Sequence, residues 1–188
     1  MSVFICLLRA VNVGGHNKIK MEVLRELCRT LKFRGAQTYV QSGNVVFHSD
    51  DGDAAVVARK LQTAIERKLG FRPDVIVRTA AEMRAVVSQN PFAKKRGIEP
   101  RKLLVTFLSA EPDAVGLKAA RAMETNPEEM HIQGREAFIY YPVGMGKSRL
   151  AWTKVERILK VSGTARNWNS VNELLRIAEA MELERANG

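Results

Sequence analysis

The 188-residue chain is 46% hydrophobic and 27% charged, and its formal net charge is +10. This composition predicts a soluble globular protein and excludes a disordered chain, because enough apolar residues are present to bury a core. No apolar run approaches the roughly 20 residues that a membrane-spanning helix needs, and the N-terminus lacks the basic segment and cleavage site of a signal peptide. We therefore expect a cytoplasmic protein without membrane contact, and its positive charge favours anionic partners.

Hydrophobic periodicity in the first half predicts the order βαββαβ followed by one more helix. Gln41, Ser42, Gly43 and Asn44 form the predicted hairpin turn between the second and third strands, because glycine and asparagine tolerate positive φ. The predicted ranges are 3–9 (strand), 21–31 (helix), 36–40 and 45–48 (strands), 57–69 (helix), 74–78 (strand) and 80–88 (helix).

The second half repeats this order. Its last helix is predicted to open with a capping box, Ser170-x-x-Glu173. The predicted ranges are 102–108 (strand), 112–123 (helix, with Pro112 in its first turn), 130–132 and 137–141 (strands), 150–159 (helix), 164–166 (strand) and 170–181 (helix). Because βαββαβ is the ferredoxin-like order, we expect an α+β fold of two duplicated ferredoxin-like halves packed as one compact unit. The halves are residues 1–93 and 102–188, joined by a connecting segment at 94–101.

The two cysteines, Cys6 and Cys28, lie in the first predicted strand and on the apolar face of the first predicted helix. Neither belongs to a Cys-x-x-Cys pair or has metal-ligand spacing to a histidine. Buried, reduced thiols are therefore expected, with no metal and no cofactor.

Five motifs, in order along nearly the whole chain, resemble the uncharacterised domain-of-unknown-function 1697 family. They are Leu7-Leu8-Arg9-Ala10-Val11-Asn12-Val13-Gly14-Gly15 with Asn17-Lys18-Ile19-Lys20-Met21, Thr38-Tyr39-Val40-Gln41-Ser42-Gly43-Asn44-Val45-Val46-Phe47, Asn90-Pro91-Phe92, Tyr141-Pro142-x-Gly144-x-Gly146-Lys147-Ser148-x-Leu150, and Thr164-x-Arg166-Asn167-Trp168-Asn169-Ser170. The resemblance implies a bacterial, duplicated α+β protein with intertwined ferredoxin-like halves, and implies no activity. Ala10 stands where the family commonly has glycine, and Lys147-Ser148-Arg149 varies its usual charged pair.

The segment Gly144 to Ser148 superficially resembles a phosphate-binding loop. Gly146-Lys147-Ser148 matches the end of the Walker pattern, but the first glycine of that pattern would fall at Tyr141. A ferredoxin-like sheet is also antiparallel, whereas a Walker loop belongs to a parallel one. A weaker hypothesis remains: a glycine turn feeding a helix that Ser148 caps, with Lys147 and Arg149 adding charge for an anion. The alternative is that the glycines only make the turn.

Two further segments are candidates for ligand binding. Asn12-Val13-Gly14-Gly15 with Lys18 and Lys20 is a glycine turn whose counterpart in the second half, Ala110-Glu111-Pro112, has no glycine. It can hold an anion through backbone N–H groups or serve only as a connection. In Arg166-Asn167-Trp168-Asn169, the indole can stack on a base while the arginine binds a phosphate. The alternative is a tryptophan that anchors the last helix and asparagines that cap it.

Catalytic patterns are absent from the sequence. His16, His48 and His131 lie far apart and pair with no nucleophile at a recognised spacing. Phe138 and Tyr140 share one face of a predicted strand and form either a base-stacking platform or part of the core.

We therefore expect a phosphate-bearing anion to bind in a groove where the halves meet. The alternatives are a nucleic-acid-binding module, an enzyme acting on a small phosphorylated substrate, and a purely structural or partner-binding role; the oligomeric state is left open. The predicted ligand-binding residues are Asn12, Gly14, Gly15, Lys18, Lys20, Gln41, Ser42, Asn44, Gly144, Gly146, Lys147, Ser148, Arg149, Arg166, Asn167, Trp168 and Asn169.

Overall fold

The structure, a computed structural model, describes residues 1–186 and is a mixed α+β fold. Within these residues there are eight strands and six helices. The strands are β1 (Ser2–Leu8), β2 (Arg34–Tyr39), β3 (Asn44–Ser49), β4 (Val75–Thr79), β5 (Leu103–Leu108), β6 (Glu129–Gln133), β7 (Glu136–Tyr140) and β8 (Gly163–Asn167). The helices are α1 (Met21–Thr30), α2 (Ala54–Leu69), α3 (Ala80–Ser88), α4 (Ala114–Arg121), α5 (Trp152–Leu159) and α6 (Trp168–Ala186). The predicted order of elements is confirmed.

The strands form two four-stranded antiparallel sheets with corresponding orders, β2-β3-β1-β4 and β6-β7-β5-β8. Equivalent strands also pair in equivalent registers. Ile5 lies opposite Arg78 in the first sheet, and Val105 lies opposite Arg166 in the second. The two halves of the chain are therefore similar in topology as well as in element order.

The chain divides into two compact units, of which unit 1 contains Met1–Ala85 with the residues from Asn172 onward, and unit 2 contains Val86–Val171. Helix α6 contributes residues to both. The boundaries predicted from the sequence follow the duplication instead, and they stay a prediction. Among residues 1–186, no helix combines the length and apolarity needed to cross a membrane.

The core of unit 1 lies between one face of its sheet and helices α1 and α2. Alternate β1 side chains, Phe4, Cys6 and Leu8, are buried there. Leu24 of α1 and Leu61 of α2 are among the helix residues buried in this core. They lie on one face of each helix because apolar residues recur at helical spacing.

A hydrophobic cluster of unit 2 packs α4 and α5 on the second sheet. Gly116 in α4 permits a close approach of the two helices, because a Cβ atom there would lie 2.8 Å from the carbonyl oxygen of Ile158. Ile132 and Ala137 of the sheet and Val155 of α5 are buried in this cluster.

Four predicted helix starts are wrong, and the first is that of α2, which begins at Ala54 and not at 57. Helix α4 begins at Ala114, not at 112, because the carboxylate of Asp113 caps it by accepting from the Gly116 N–H at 2.6 Å. Helix α6 begins at Trp168, so Ser170 lies inside it and the predicted capping box does not form. Helix α5 begins at Trp152, two residues later than predicted.

Candidate functional site

The first loop, residues 9–20 between β1 and α1, contains an unusual number of left-handed residues. Ala10, Asn12 and Asn17 have φ of 54°, 55° and 48°, and Gly14 and Gly15 have 58° and 80°. Glycine and asparagine tolerate this region, whereas Ala10 pays about 1–3 kcal/mol for it, and strained residues cluster at functional sites. The predicted glycine turn is therefore confirmed as a turn, and it is strained as well.

A second strained turn lies beside it. In the hairpin turn, residues 40–43 between β2 and β3, Val40 has φ 50° although it is β-branched. Gly43 is required at its position, because a Cβ atom would lie 2.4 Å from Cγ2 of Val11 in the first loop. The Gly43 carbonyl also accepts the Leu8 N–H at 2.9 Å. The hairpin turn and the first loop are thus packed against each other.

The side chain of Asn12 joins the two turns. Its amide nitrogen donates to the Gln41 carbonyl at 2.7 Å and to the Ile19 carbonyl at 3.0 Å, while its side-chain oxygen accepts the Ile19 N–H at 2.9 Å. Asn17 closes the first loop by donating to the Ala10 carbonyl at 3.1 Å. One asparagine therefore sets the position of the loop relative to the hairpin.

Asn44 and Ser42 are engaged inside the hairpin. Asn44 is fully buried and donates to the Tyr39 carbonyl at 3.0 Å and to Ser42 Oγ at 2.9 Å. These bonds stabilise the hairpin turn, so the role of Asn44 is to maintain the backbone conformation of that turn.

A cavity of about 660 Å³, which we call the Asn12 cavity, opens beside these turns. Lys18 and Lys20 give it positive charge, and Ile19, Val23 and Leu69 give it apolar surface. Its lining residues are Asn12, Gly15, Lys18, Ile19, Lys20, Val23, Gln41 and Leu69.

The N-terminus of α1 lies at this cavity. Lys20 is the N-cap residue, and its side chain makes no capping hydrogen bond. The first helical bond runs from the Leu24 N–H to the Lys20 carbonyl, so the N–H groups of the first turn have no partner within the helix. The Glu22 carboxylate lies in this first turn and would compete with a bound anion for these N–H groups. Its pKa is lowered mainly by a hydrogen bond from its own backbone N–H, and further by Arg25 and Lys20.

The predicted residues in the second half lie in unit 2. Gly144, with φ 86°, precedes a short 3₁₀ turn at Met145–Lys147 that contains Gly146. The Ser148 hydroxyl accepts the Leu150 N–H at 2.9 Å, but the N-cap of α5 is Ala151. The expectation that Ser148 caps the helix, and that the glycine turn runs directly into it, is therefore wrong. Lys147 and Arg149 are exposed.

Arg166 is buried, with 7% of its surface exposed, and burial lowers its pKa to about 10. Its guanidinium donates to Thr164 Oγ1 and to the Ala165 carbonyl, both at 2.8 Å. Its counterpart Arg78 is 1% exposed and donates to the Val77 carbonyl at 3.0 Å. The two arginines therefore occupy equivalent buried positions in the two sheets.

The residues after Arg166 begin the last helix. Asn167 caps α6 by accepting the Ser170 N–H at 2.9 Å. Trp168 is half-buried and Asn169 is exposed. The helix-capping interpretation is therefore confirmed for Asn167. The segment Arg166 to Asn169 stays a predicted ligand site.

Little in the described part of the chain resembles a catalytic or metal centre. Residues 1–186 contain no group of three His, Cys, Asp or Glu side chains able to hold a metal ion. His131 pairs with Glu129 at 2.9 Å and packs edge-on against Phe92. Phe138 is 1% exposed, so it does not form a stacking platform with Tyr140.

A basic concavity in unit 1 was missed by the sequence reasoning. Its volume is about 630 Å³, and Arg25, Arg29, Lys32 and Arg34 line it together with Asp50. Arg25 and Arg29, four residues apart on α1, share a helix face, and this spacing is the signal that could have identified the patch.

The comparisons with known proteins give a matching family model and a similar solved structure. No curated protein matches the chain. A conserved bacterial protein, SP0830 from Streptococcus pneumoniae, has a similar solved structure with a TM-score of 0.72, 22% sequence identity, and coverage of 95% of this chain and 99% of the other. The family model described as "Protein of unknown function (DUF1697)" matches residues 1–138, so the motifs from Tyr141 onward lie outside the match. The chain therefore belongs to the DUF1697 family.

Proposed function

We propose that this protein binds a small phosphate-bearing molecule in the Asn12 cavity. The observation that carries the proposal is the side chain of Asn12, which clamps two strained turns together beside a cavity containing Lys18 and Lys20. Strain of this kind persists only where the surrounding structure enforces it, and it is concentrated at ligand sites.

The cavity favours a ligand with two chemically different ends. Two lysines and the N-terminus of α1 attract negative charge, because helix N–H groups and the helix dipole favour anions. Ile19, Val23 and Leu69 offer apolar contact. A phosphate attached to an apolar or aromatic body fits both features, whereas inorganic phosphate uses only the first.

Binding is favoured over catalysis at this place. Among the described residues that line the cavity there is no histidine, cysteine or carboxylate to act as a general base. An enzyme acting on a small phosphorylated substrate would have to bring such a group from elsewhere.

We also infer that each half is ferredoxin-like, since each has the order βαββαβ. The shared groove proposed from the sequence would add the residues from Gly144 to Arg149 and from Arg166 to Asn169 to the site. These residues lie in unit 2, and their participation stays a prediction.

Thermal unfolding at low salt tests the proposal, with nucleotides, sugar phosphates, coenzyme A and inorganic phosphate as probes. A ligand at a hundredfold excess over Kd stabilises the folded state by about 2.7 kcal/mol. We expect a shift with an organic phosphate that is reduced in Lys18→Ala and Lys20→Ala. Lys118→Ala, an exposed lysine of α4, is the matched control and should leave the shift unchanged. Equal shifts in all three variants would exclude the Asn12 cavity as the site.

Nucleic-acid binding is the second candidate, and the basic concavity favours it, because four cations lie within one surface depression. Three of them also pair with acidic side chains: Arg25 with Glu22, Arg29 with Glu26, and Arg34 with Asp50. Fluorescence anisotropy with short RNA and DNA separates the two functions. Binding through phosphates must weaken steeply as salt rises, and it must depend on Arg29 rather than on Lys18.

A further inference from the structure

Gln41, in the hairpin turn, brings a side-chain amide to the Asn12 cavity. Its backbone carbonyl accepts the Asn12 amide nitrogen at 2.7 Å, whereas its side chain is exposed and the residue lines the cavity. In the described part of the chain, no hydrogen bond engages the Gln41 amide. The residue is therefore held through its backbone, and its side chain keeps both donor and acceptor groups for a ligand.

The turn that carries Gln41 is rigid. Asn44 donates to Ser42 Oγ at 2.9 Å inside the turn, and the Gly43 carbonyl accepts the Leu8 N–H at 2.9 Å. A polar group on a fixed turn loses less conformational freedom when a ligand binds, so it can contribute to specificity at a low entropic cost.

The amide and the two lysines of the cavity belong to one site. The Asn12 side-chain nitrogen donates to the carbonyls of both Gln41 and Ile19, at 2.7 and 3.0 Å, so these two carbonyl oxygens are neighbours. Ile19 lies between Lys18 and Lys20 in the chain, and all of these residues belong to unit 1. One small molecule whose anionic group contacts the lysines can therefore also reach Gln41.

We propose that the ligand of the Asn12 cavity is a nucleotide whose base is bound by the Gln41 side chain, an inference that rests on the proposed function of this cavity. The donor and acceptor of an amide lie side by side and match the adjacent donor and acceptor on the edge of a base. Val23 and Leu69 offer apolar contact to the flat faces of the base, and the lysines bind the phosphate. A sugar phosphate has no such flat apolar face.

The size of the cavity agrees with this assignment. Its volume of about 660 Å³ lies within the roughly 300–1,000 Å³ of pockets for drug-sized ligands, so it has room for a base, a sugar and a phosphate together.

Isothermal titration calorimetry of the full-length protein at low salt tests the inference, with AMP, GMP, CMP, UMP and ribose 5-phosphate as probes. These compounds all carry a sugar phosphate, so a difference in affinity reports on the base. We expect at least one nucleotide to bind tenfold or more tightly than ribose 5-phosphate. Equal affinities would overturn the nucleotide inference and leave the phosphate site standing. The inference also fails if no nucleotide binds, whereas the phosphate site falls only if no organic phosphate binds either.

Variants separate recognition of the base from recognition of the phosphate. Gln41→Met keeps the length of the side chain and the backbone carbonyl that holds Asn12, and it removes the amide. It should weaken nucleotide binding about tenfold, as expected for two lost hydrogen bonds, and leave ribose 5-phosphate binding unchanged. Lys18→Ala should weaken the binding of both compounds. Gln37→Met, at an exposed glutamine of β2 outside the cavity, is the matched control and should change neither. Full nucleotide affinity in Gln41→Met would overturn the assignment.

Discussion

The side-chain nitrogen of Asn12 lies 2.7 Å from the carbonyl oxygen of Gln41, a residue 29 positions later in the chain. This bond ties the loop after β1 to the turn between β2 and β3, while two further bonds tie the same side chain to the backbone of Ile19. Loops that carry a binding site need such fixation, because an ordered loop loses less entropy when a ligand arrives.

Replacing Asn12 should destabilise the protein and weaken ligand binding together. Asn12→Ala removes three side-chain hydrogen bonds and leaves the backbone of Ile19 without partners, which we expect to cost about 1–3 kcal/mol. Urea unfolding measures the loss. Gln89→Ala, at an exposed position, should change stability by less than about 0.5 kcal/mol. If Asn12→Ala were as stable as this control, the asparagine would not hold the two turns together.

The packing of the hairpin turn predicts that Gly43 tolerates no side chain. In Gly43→Ala the new methyl group meets Cγ2 of Val11 at 2.4 Å and Cβ of Leu8 at 2.9 Å, with φ at 71°. Overpacking and left-handed strain together should cost about 2–4 kcal/mol. Gly52→Ala is the matched control, because nothing lies within 4 Å of its added Cβ atom. Thermal unfolding of the two variants should differ by several degrees, and similar values would contradict the close packing of Val11 on the turn.

The sequence predicted the fold well because its signals are local. Apolar periodicity located every strand and helix in order, and the repeat of that order indicated the duplication before the sheets were seen. Helix starts were less predictable. Ser170 and Ser148 both look like caps, but Asn167 and Ala151 occupy those positions, because the sheet and core decide where each helix can begin.

The candidate site was predictable only in part, since long-range contacts leave no local pattern. The sequence pointed to the turns around Asn12 and Gln41, yet the hydrogen bond joining them is a consequence of strand pairing. Val40 gives no hint of its positive φ.

The two thiols should be unreactive in the folded protein. Cys6 and Cys28 are fully buried, and burial raises the pKa of both, to about 12 for Cys28. At pH 8 a thiol of this pKa is ionised in roughly one molecule in ten thousand, and the thiolate is the reactive form. Ellman's reagent should therefore report no rapid reaction in native buffer and two thiols in denaturant. One fast equivalent in native buffer would contradict the burial of one cysteine.

Stability should fall in acid through Glu129. Hydrogen bonds from His131 and then from Lys95 hold the pKa of this carboxyl below its ordinary value. A carboxyl whose pKa is lower in the folded state stabilises the protein above its unfolded pKa, and it loses that contribution as pH falls through the folded pKa. Because the group is partly exposed, we expect no more than about 1 kcal/mol. Glu129→Gln should flatten the acid limb of a stability–pH curve relative to Glu111→Gln, and identical curves would contradict the role of this pair.

Removing the charge of Glu22 should strengthen phosphate binding in the Asn12 cavity. Its carboxyl accepts a hydrogen bond from its own N–H at the start of α1, and it also interacts with Lys20, so it competes with an incoming anion for both. Glu22→Gln removes this competition, and we expect an affinity gain of about two- to fivefold, because a charge at a helix N-terminus acts on an anion bound there. Glu26→Gln, one turn further along the same helix, is the control, because its charge lies beyond the first turn. Titration of the phosphate ligand found in the thermal panel measures the difference. Weaker binding in Glu22→Gln than in Glu26→Gln would mean that the anion does not bind at the start of α1.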